Sequence, residues 1–183
     1  MVDKFPAIFN APPNPHVTES ELIGNVCRLL YSIRIERSSA WIFEQVYVPL
    51  RQENIKFYFD SNGTLAAFAT WAYLDSRAER RIARTGSLKL APDDWNSGPS
   101  PWIIDLFAQR GILDEVLDDL RDCIFKDVSQ LRFARSNRGS FRIKQVARSQ
   151  VSHFFKKKKK RDGTCACNSP DCSLQKRKQL LIT

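Results

Sequence analysis

Two β-rich runs, Ile55–Phe59 and Leu65–Trp71, flank Asp60, Ser61, Asn62 and Gly63, and this pattern restricts the chain more than any other. Asn and Gly tolerate positive φ, so a short turn at that point returns the second run antiparallel to the first. Further on, Trp102–Phe107 is a continuous apolar run interrupted only by Asp105, which predicts another strand. Residues 130–135 and 140–147, with Asn137, Arg138 and Gly139 between them, predict a second hairpin.

Helices are expected between these strands. Thr18 followed by Glu21 is a capping-box pattern, and Leu22, Val26, Leu29 and Leu30 follow at helical spacing, giving a helix over about 19–31. Ser38 and Ser39 cap a second helix carrying Trp41, Ile42, Val46 and Val48, expected to end near Pro49. Residues 75–84 read as a short charged helix, largely a solvated face. From Gly111 a helix presents Ile112, Leu113, Val116, Leu117, Leu120 and Ile124 on one face and acidic residues on the other. The order of elements predicts a sheet with helices packed on it.

A hydrophobic fraction of 43% over 183 residues fits one domain with a real core. No apolar run approaches the roughly 20 residues of a transmembrane helix. Residues 1–17 hold Asp3, Pro6, Pro12, Pro13 and Pro15, so they read as an extended arm rather than a signal peptide, and a cytoplasmic location is expected. The net charge of +9 suggests a nucleic-acid partner until it is located. From Lys156 to Thr183 nine lysines and arginines face Asp162 and Asp171, a surplus of +7, so only +2 remains for residues 1–155. The basicity belongs to a tail over 156–183 that is expected to be disordered, with nonspecific affinity for anionic polymers or lipid. Cys27 and Cys123 fall on apolar helix faces as small hydrophobes. Cys165, Cys167 and Cys172 lack a paired CxxC, so no metal site is expected.

Three stretches carry a resemblance. Trp71, Ala72, Tyr73 and Leu74 form a "SWANL"-like strand end; Asp94, Trp95, Asn96, Ser97 and Gly98 form a "DWxSG" loop; Trp102 to Asp105, with Ala108 and Gly111, follow a "WxIDWxAPxG" strand. Ordered and colinear, they resemble the RTX-toxin-activating lysine acyltransferases, the hemolysin- and cyclolysin-activating proteins. The resemblance extends weakly from Gly24 to about Arg148, within a domain over 18–155. It implies an α/β, GNAT-like mixed sheet with flanking helices in a single domain. It also implies transfer of a fatty acyl group from acyl-acyl-carrier-protein to internal lysines of an RTX-type protoxin, without a bound cofactor, and it points to dimers.

That family uses a histidine and an aspartate as its catalytic pair. Asp105 matches the aspartate. The histidine, expected in a Ser-x-x-His-Arg setting, is replaced: ungapped counting from Trp71 or Pro49 gives Ile35, and anchoring on Arg37 gives Glu36. The chain's two histidines, His16 and His153, lie in the arm and at the tail junction. A lysine amine, with a pKa of about 10.4, is mostly protonated at neutral pH, so attack on a thioester benefits from a base worth roughly 10²–10⁴ in rate. Glu36 serves only if burial makes it more basic, and Arg34 and Arg37 oppose that; Asp105 serving directly is the second option, and a binding-only descendant the third.

The acyl donor requires an anion site. Gln109, Arg110 and Gly111 before a helix offer backbone donors and a cation for a phosphopantetheine phosphate, although the same glycine is an ordinary hinge. Arg132, Arg135, Arg138, Arg142, Lys144 and Arg148 recur along the last hairpin, suiting an acidic carrier protein or a protected sheet edge. Two other classes stay open: a catalytically impaired homologue that binds carrier or toxin as an adaptor, and a basic-tailed nucleic-acid-binding protein. The latter lacks aromatic residues beyond Phe155 for base stacking.

Overall fold

A computed structural model describes residues 17–137, 140–149 and 154. The arm over 1–16, the turn residues Arg138 and Gly139, both histidines and the basic tail lie outside the described residues. Five strands form one mixed sheet: β1 (Ile55–Phe59), β2 (Leu65–Leu74), β3 (Ser100–Ala108), β4 (Gln130–Asn137) and β5 (Ser140–Ala147), in that spatial order. Every neighbouring pair is antiparallel except β3 and β4, which run parallel and pair only at Trp102↔Arg132 and Ile103↔Phe133. Beyond that point the two strands part.

The expected hairpin forms, with a longer turn than the Asn-Gly pair alone predicts. Asp60 organises it: its carboxylate accepts from the amides of Asn62 and Thr64, and Gly63 takes φ 74°. Helix α1 (Glu19–Ser32) starts at the expected capping box, where the Glu21 amide donates to Thr18 Oγ1 and the Thr18 amide to Glu21 Oε2. Val26, Leu29 and Leu30 are its buried face. Cys27 is exposed, contrary to expectation, because it lies a further 100° around the helix from Val26; Cys123 is buried as expected.

Helix α1 ends in a Schellman motif. Arg34 takes φ 59°, its amide donates to the Tyr31 carbonyl, and the Ile35 amide reaches back to Leu30. Left-handed backbone at a non-glycine residue is strained, so Arg34→Gly is expected to raise stability by about 1 kcal/mol, read by urea denaturation. A decrease would mean that the Arg34 side chain contributes more than its backbone costs.

The second helical stretch is built of three pieces: α2 (Ser39–Ile42), a π-helical turn over Phe43–Tyr47, and α3 (Val48–Arg51). Ser38 caps it, accepting from the Trp41 amide. The stretch ends at Arg51, near Pro49 as expected, although the proline itself lies inside α3. The π turn before it already departs from the α-helical bonding pattern, with Val48 donating to Phe43, so the proline interrupts no regular ladder. Helix α4 (Ser76–Thr85) is capped by Asp75 and closed by Gly86 at φ 63°. It is less solvated than its composition suggests, since Ala78 and Ile82 are fully buried and Glu79 bonds the Trp102 indole N–H.

Helix α5 (Leu113–Asp119) continues through a second π turn, Leu120–Ile124. Ile112, Val116 and Leu120 pack against Ala67, Ala69, Trp71 and Ile103 on one face of the sheet. Leu113 is exposed, whereas Asp119 is buried, bonding the Tyr58 hydroxyl at 2.9 Å and pairing with Lys56 at 2.7 Å. Burial and the Asp119 charge push the Tyr58 phenol well above its ordinary range. The opposite sheet face, Phe68, Ala72 and Leu74 of β2 with Trp102, Ile104 and Phe107 of β3, is covered by α1, the α2–α3 stretch and α4.

The loop between α4 and β3 is clamped to the end of β2. Asp94, almost fully buried, pairs with Arg81 and accepts from the Ala91 amide at 2.6 Å. Trp95 is fully buried, and Asn96 exchanges bonds with Asn54, whose own amide reaches the Trp71 carbonyl at 2.9 Å. The Gly98 amide donates to the Tyr73 carbonyl, and Ser97 Oγ accepts from the Asp75 amide. Most of the "DWxSG"-like residues therefore hold the scaffold.

Candidate active site

Strands β2 and β3 stay in step from Leu74↔Ser100 to Trp71↔Ile103 and resume at Thr70↔Asp105, which leaves Ile104 with no opposite residue. This is a β-bulge on β3, and one extra residue resets the alternation of side chains. Trp102 and Ile104 pack on the face beneath α4, and beyond the bulge Phe107 occupies the same face beneath α1. Asp105, opposite the fully buried Thr70 and two residues before Phe107, joins that face. Its own amide donates to Thr70 Oγ1 at 3.1 Å.

The surroundings come from the segment between α1 and α2. Trp41 meets Phe107 edge-on, with centroids 5.8 Å apart, and the Arg37 guanidinium lies 5.1 Å from the Trp41 ring and 5.6 Å from that of Phe107. Asp105 is half-buried. Burial pushes its carboxyl up from 3.8 to about 6, and the positive charge of Arg37 restrains the shift. The site thus holds a carboxylate near neutrality, a cation beside it and an aromatic floor. Such a carboxylate accepts a proton far more readily at neutral pH than an ordinary aspartate does.

The two positions that stand where a histidine is expected diverge. Ile35 is partly buried and packs with the cluster of Leu29, Leu30 and Phe107. Glu36 is exposed and lines an open depression of about 620 Å³ with Tyr31, Ser32, Arg34 and Ile35. Glu36 is thus left in solvent, whereas Asp105 is half-buried.

Residues 15–150 match the HlyC, or RTX toxin acyltransferase, family. The chain belongs to that family. A curated relative, Lysine-acyltransferase RtxC from Vibrio cholerae serotype O1 (strain ATCC 39315 / El Tor Inaba N16961), is 25% identical over 123 residues, covering 65% of this chain and 79% of that protein. Among solved structures, a GNAT-family acetyltransferase from Listeria monocytogenes 4b F2365 is similar at 12% identity and a TM-score of 0.39, covering 76% of this chain and 93% of that one. The histone acetyltransferase HPA2 and related acetyltransferase from Corynebacterium glutamicum ATCC 13032 gives 17% and 0.40, covering 73% and 78%. Family and relative alike are acyltransferases, so acyl transfer is the reaction class, and the mixed sheet with flanking helices is the expected fold class.

In this acyltransferase the other expected binding residues are spread out. The Gln109 amide is spent on the Ala66 carbonyl, Arg110 is exposed, and Gly111 takes φ 97° at the hinge into α5. Asp114 and Glu115 already occupy the first turn of α5, where they oppose the helix dipole's pull on a phosphate. The basic residues of the last hairpin do not share one face. Arg132 pairs with Glu79 on the α4 side, and Arg148 is committed to the carbonyls of Val128 and Phe125. Exposed Arg135, Arg142 and Lys144 lie on the α5 side, with Arg135 directly opposite Arg142. Among the described residues no group of His, Cys, Asp and Glu is placed to hold a metal ion. No helix among them is long and apolar enough to cross a membrane.

Sequence reasoning missed three members of the site: Thr70, Trp41 and the role of Arg37 beside Asp105. Only the bulge brings them together, and a single extra residue in a strand leaves no compositional trace.

Proposed function

We propose that this acyltransferase moves a fatty acyl group from acyl-acyl-carrier-protein to internal lysines of an RTX-type protoxin, with Asp105 as the base. The observation that carries this reading is the carboxylate of Asp105, raised to about 6 at the bulge of β3. A substrate lysine that has lost one proton to solvent attacks the thioester carbonyl carbon as the neutral amine, and Asp105 takes the second proton from Nζ as the bond forms. The C–N bond forms, the C–S bond breaks, and the proton leaves with the thiolate as a thiol. An imidazole is not required for this sequence, because a carboxylate of raised pKa performs the same transfer.

An extended acyl-phosphopantetheine arm suits the place where β3 and β4 part, since the unpaired flank of a strand accepts extended chains by added strand-like bonds. Exposed Arg110 at the end of β3 is the cation assigned to its phosphate, and Arg135, Arg142 and Lys144 the patch facing an acidic carrier. Such a carrier places the reaction in the cytoplasm. The proposal includes a homodimer and leaves nonspecific anion binding to the tail.

The test is incubation with acyl-carrier thioesters and a cognate toxin, followed by mass spectrometry for acyl-lysine. Transfer is expected, with a rate that rises through about pH 6 as Asp105 ionises. No acyl-lysine with any donor, alongside retained carrier or toxin binding, would replace the enzyme with an adaptor. A rate flat from pH 5 to 8 would remove Asp105 as the base.

A further inference from the structure

Gln45 lies in the π-helical turn Phe43–Tyr47, is only 3% exposed, and among the described residues its side-chain Nε2 has no hydrogen-bond partner. Leaving a buried amide donor unpaired is costly, and a π turn is an uncommon and poorly bonded way to build a helix. Two costs at one position call for an explanation outside the resting fold.

The neighbours on the same helical stretch locate Gln45. Trp41, one turn earlier, rests on Phe107; Val48, nearly a turn later, packs in the cluster of Ile104 and Ala72. Asp105 lies between Ile104 and Phe107 in β3, at the bulge, on the face this stretch covers. Gln45 therefore occupies the stretch of helix that spans the bulge. Among the described residues Trp95 Nε1 is also buried without a partner, but Trp95 is held beside Tyr73, whose amide donates to its carbonyl three residues along β2 from Thr70, the residue opposite Asp105.

We propose that Gln45 is a catalytic residue whose side-chain amide donates a hydrogen bond to the carbonyl oxygen of the bound acyl thioester. The inference rests on the acyl-transfer reading above. As the lysine nitrogen bonds to the carbonyl carbon, negative charge gathers on that oxygen. A preorganised donor in a water-poor site stabilises the charge without reorganisation, and its removal typically costs about 10²–10³ in kcat. No proton leaves Gln45, so Asp105 keeps its role as base. The unpaired amide is thus held ready for an acceptor that arrives only with substrate.

The test uses the full chain with acyl-carrier thioester and toxin, comparing wild type with Gln45→Met and Gln45→Glu. Methionine keeps the length and apolar bulk; glutamate keeps the shape but loses the amino donor. Both are expected to fold, with Gln45→Met at least as thermostable as wild type and its kcat down by about 10²-fold. Isotope-edited infrared spectra of a ¹³C-carbonyl thioester are expected to show a carbonyl band at lower frequency in wild type than in Gln45→Met. Equal kcat and equal band positions would overturn the role of Gln45 while leaving acyl transfer intact. Failure of both variants to fold would show that the amide is already bonded in the native state, which also overturns the proposal. An inactive wild type sinks the parent reading instead.

Discussion

Asp105→Asn is expected to lower acyl transfer by about 10²–10⁴-fold, the usual contribution of a positioned base, while making the protein more stable at pH 8. The second effect follows from the sign of the pKa shift. Folding raises the carboxyl from 3.8 to about 6, so the folded state prefers the protonated form. Its contribution to stability is fully present below about pH 4 and is lost as pH rises through 6. Two pH units correspond to about 3 kcal/mol, from which the polar cost of a half-buried asparagine must be subtracted. A gain of roughly 1–3 kcal/mol at pH 8, vanishing near pH 4, is the expected outcome of urea denaturation at the two pH values. A gain of equal size at both pH values would show that the carboxyl is not desolvated in the fold. Retention of most of the acylation rate would show that another group takes the proton. Asparagine keeps the shape, so either result bears on the charge rather than on packing.

Gly98→Ala is expected to be the most damaging single-methyl change for the fold. An added Cβ would lie 2.6 Å from the backbone of Asp75 and from the Leu74 carbonyl oxygen, closer than real contacts allow. Neither side can yield cheaply. Asp75 is the N-cap of α4, accepting from the Ala78 amide at 2.7 Å, and its own amide is held by Ser97. Gly98 in turn donates to Tyr73 at 2.9 Å. Overpacking against fixed backbone costs about 3 kcal/mol, a large fraction of a small domain's stability. The midpoint of thermal unfolding is the measurement, and a shift of less than 2 °C or so would mean the loop moves aside more freely than its bonds suggest. The requirement here is space: the Gly98 backbone is not among the left-handed glycines.

These two residues also mark how far a linear reading carries. Gly98 and Asp105 stand out in the chain because they fall in recognisable stretches, yet one serves packing and the other is the base we propose. The Asp94–Gly98 loop, the most conspicuous motif, clamps α4 and β2; the base we propose lies in β3. Apolar periodicity made the strands and α1 legible, because burial of a face leaves a regular imprint on sequence. Capping and turn chemistry did the same for Thr18, Ser38 and Asp60. The π turns did not show, since an extra residue in a helix alters hydrogen bonding without altering the apolar pattern enough to be read.

What the chain alone determined, then, is its succession of helices, hairpin, strand, helix and hairpin, and an aspartate in an apolar strand where a histidine partner is missing. The tertiary structure decided the rest. The bulge at Ile104 turned Asp105 onto the face covered by Arg37 and Trp41, and burial there raised its carboxyl to about 6. It also separated Ile35, packed inward, from Glu36, left in solvent. Proton affinity is set by what surrounds a group in three dimensions, and those surroundings come from segments some 70 residues apart in the chain.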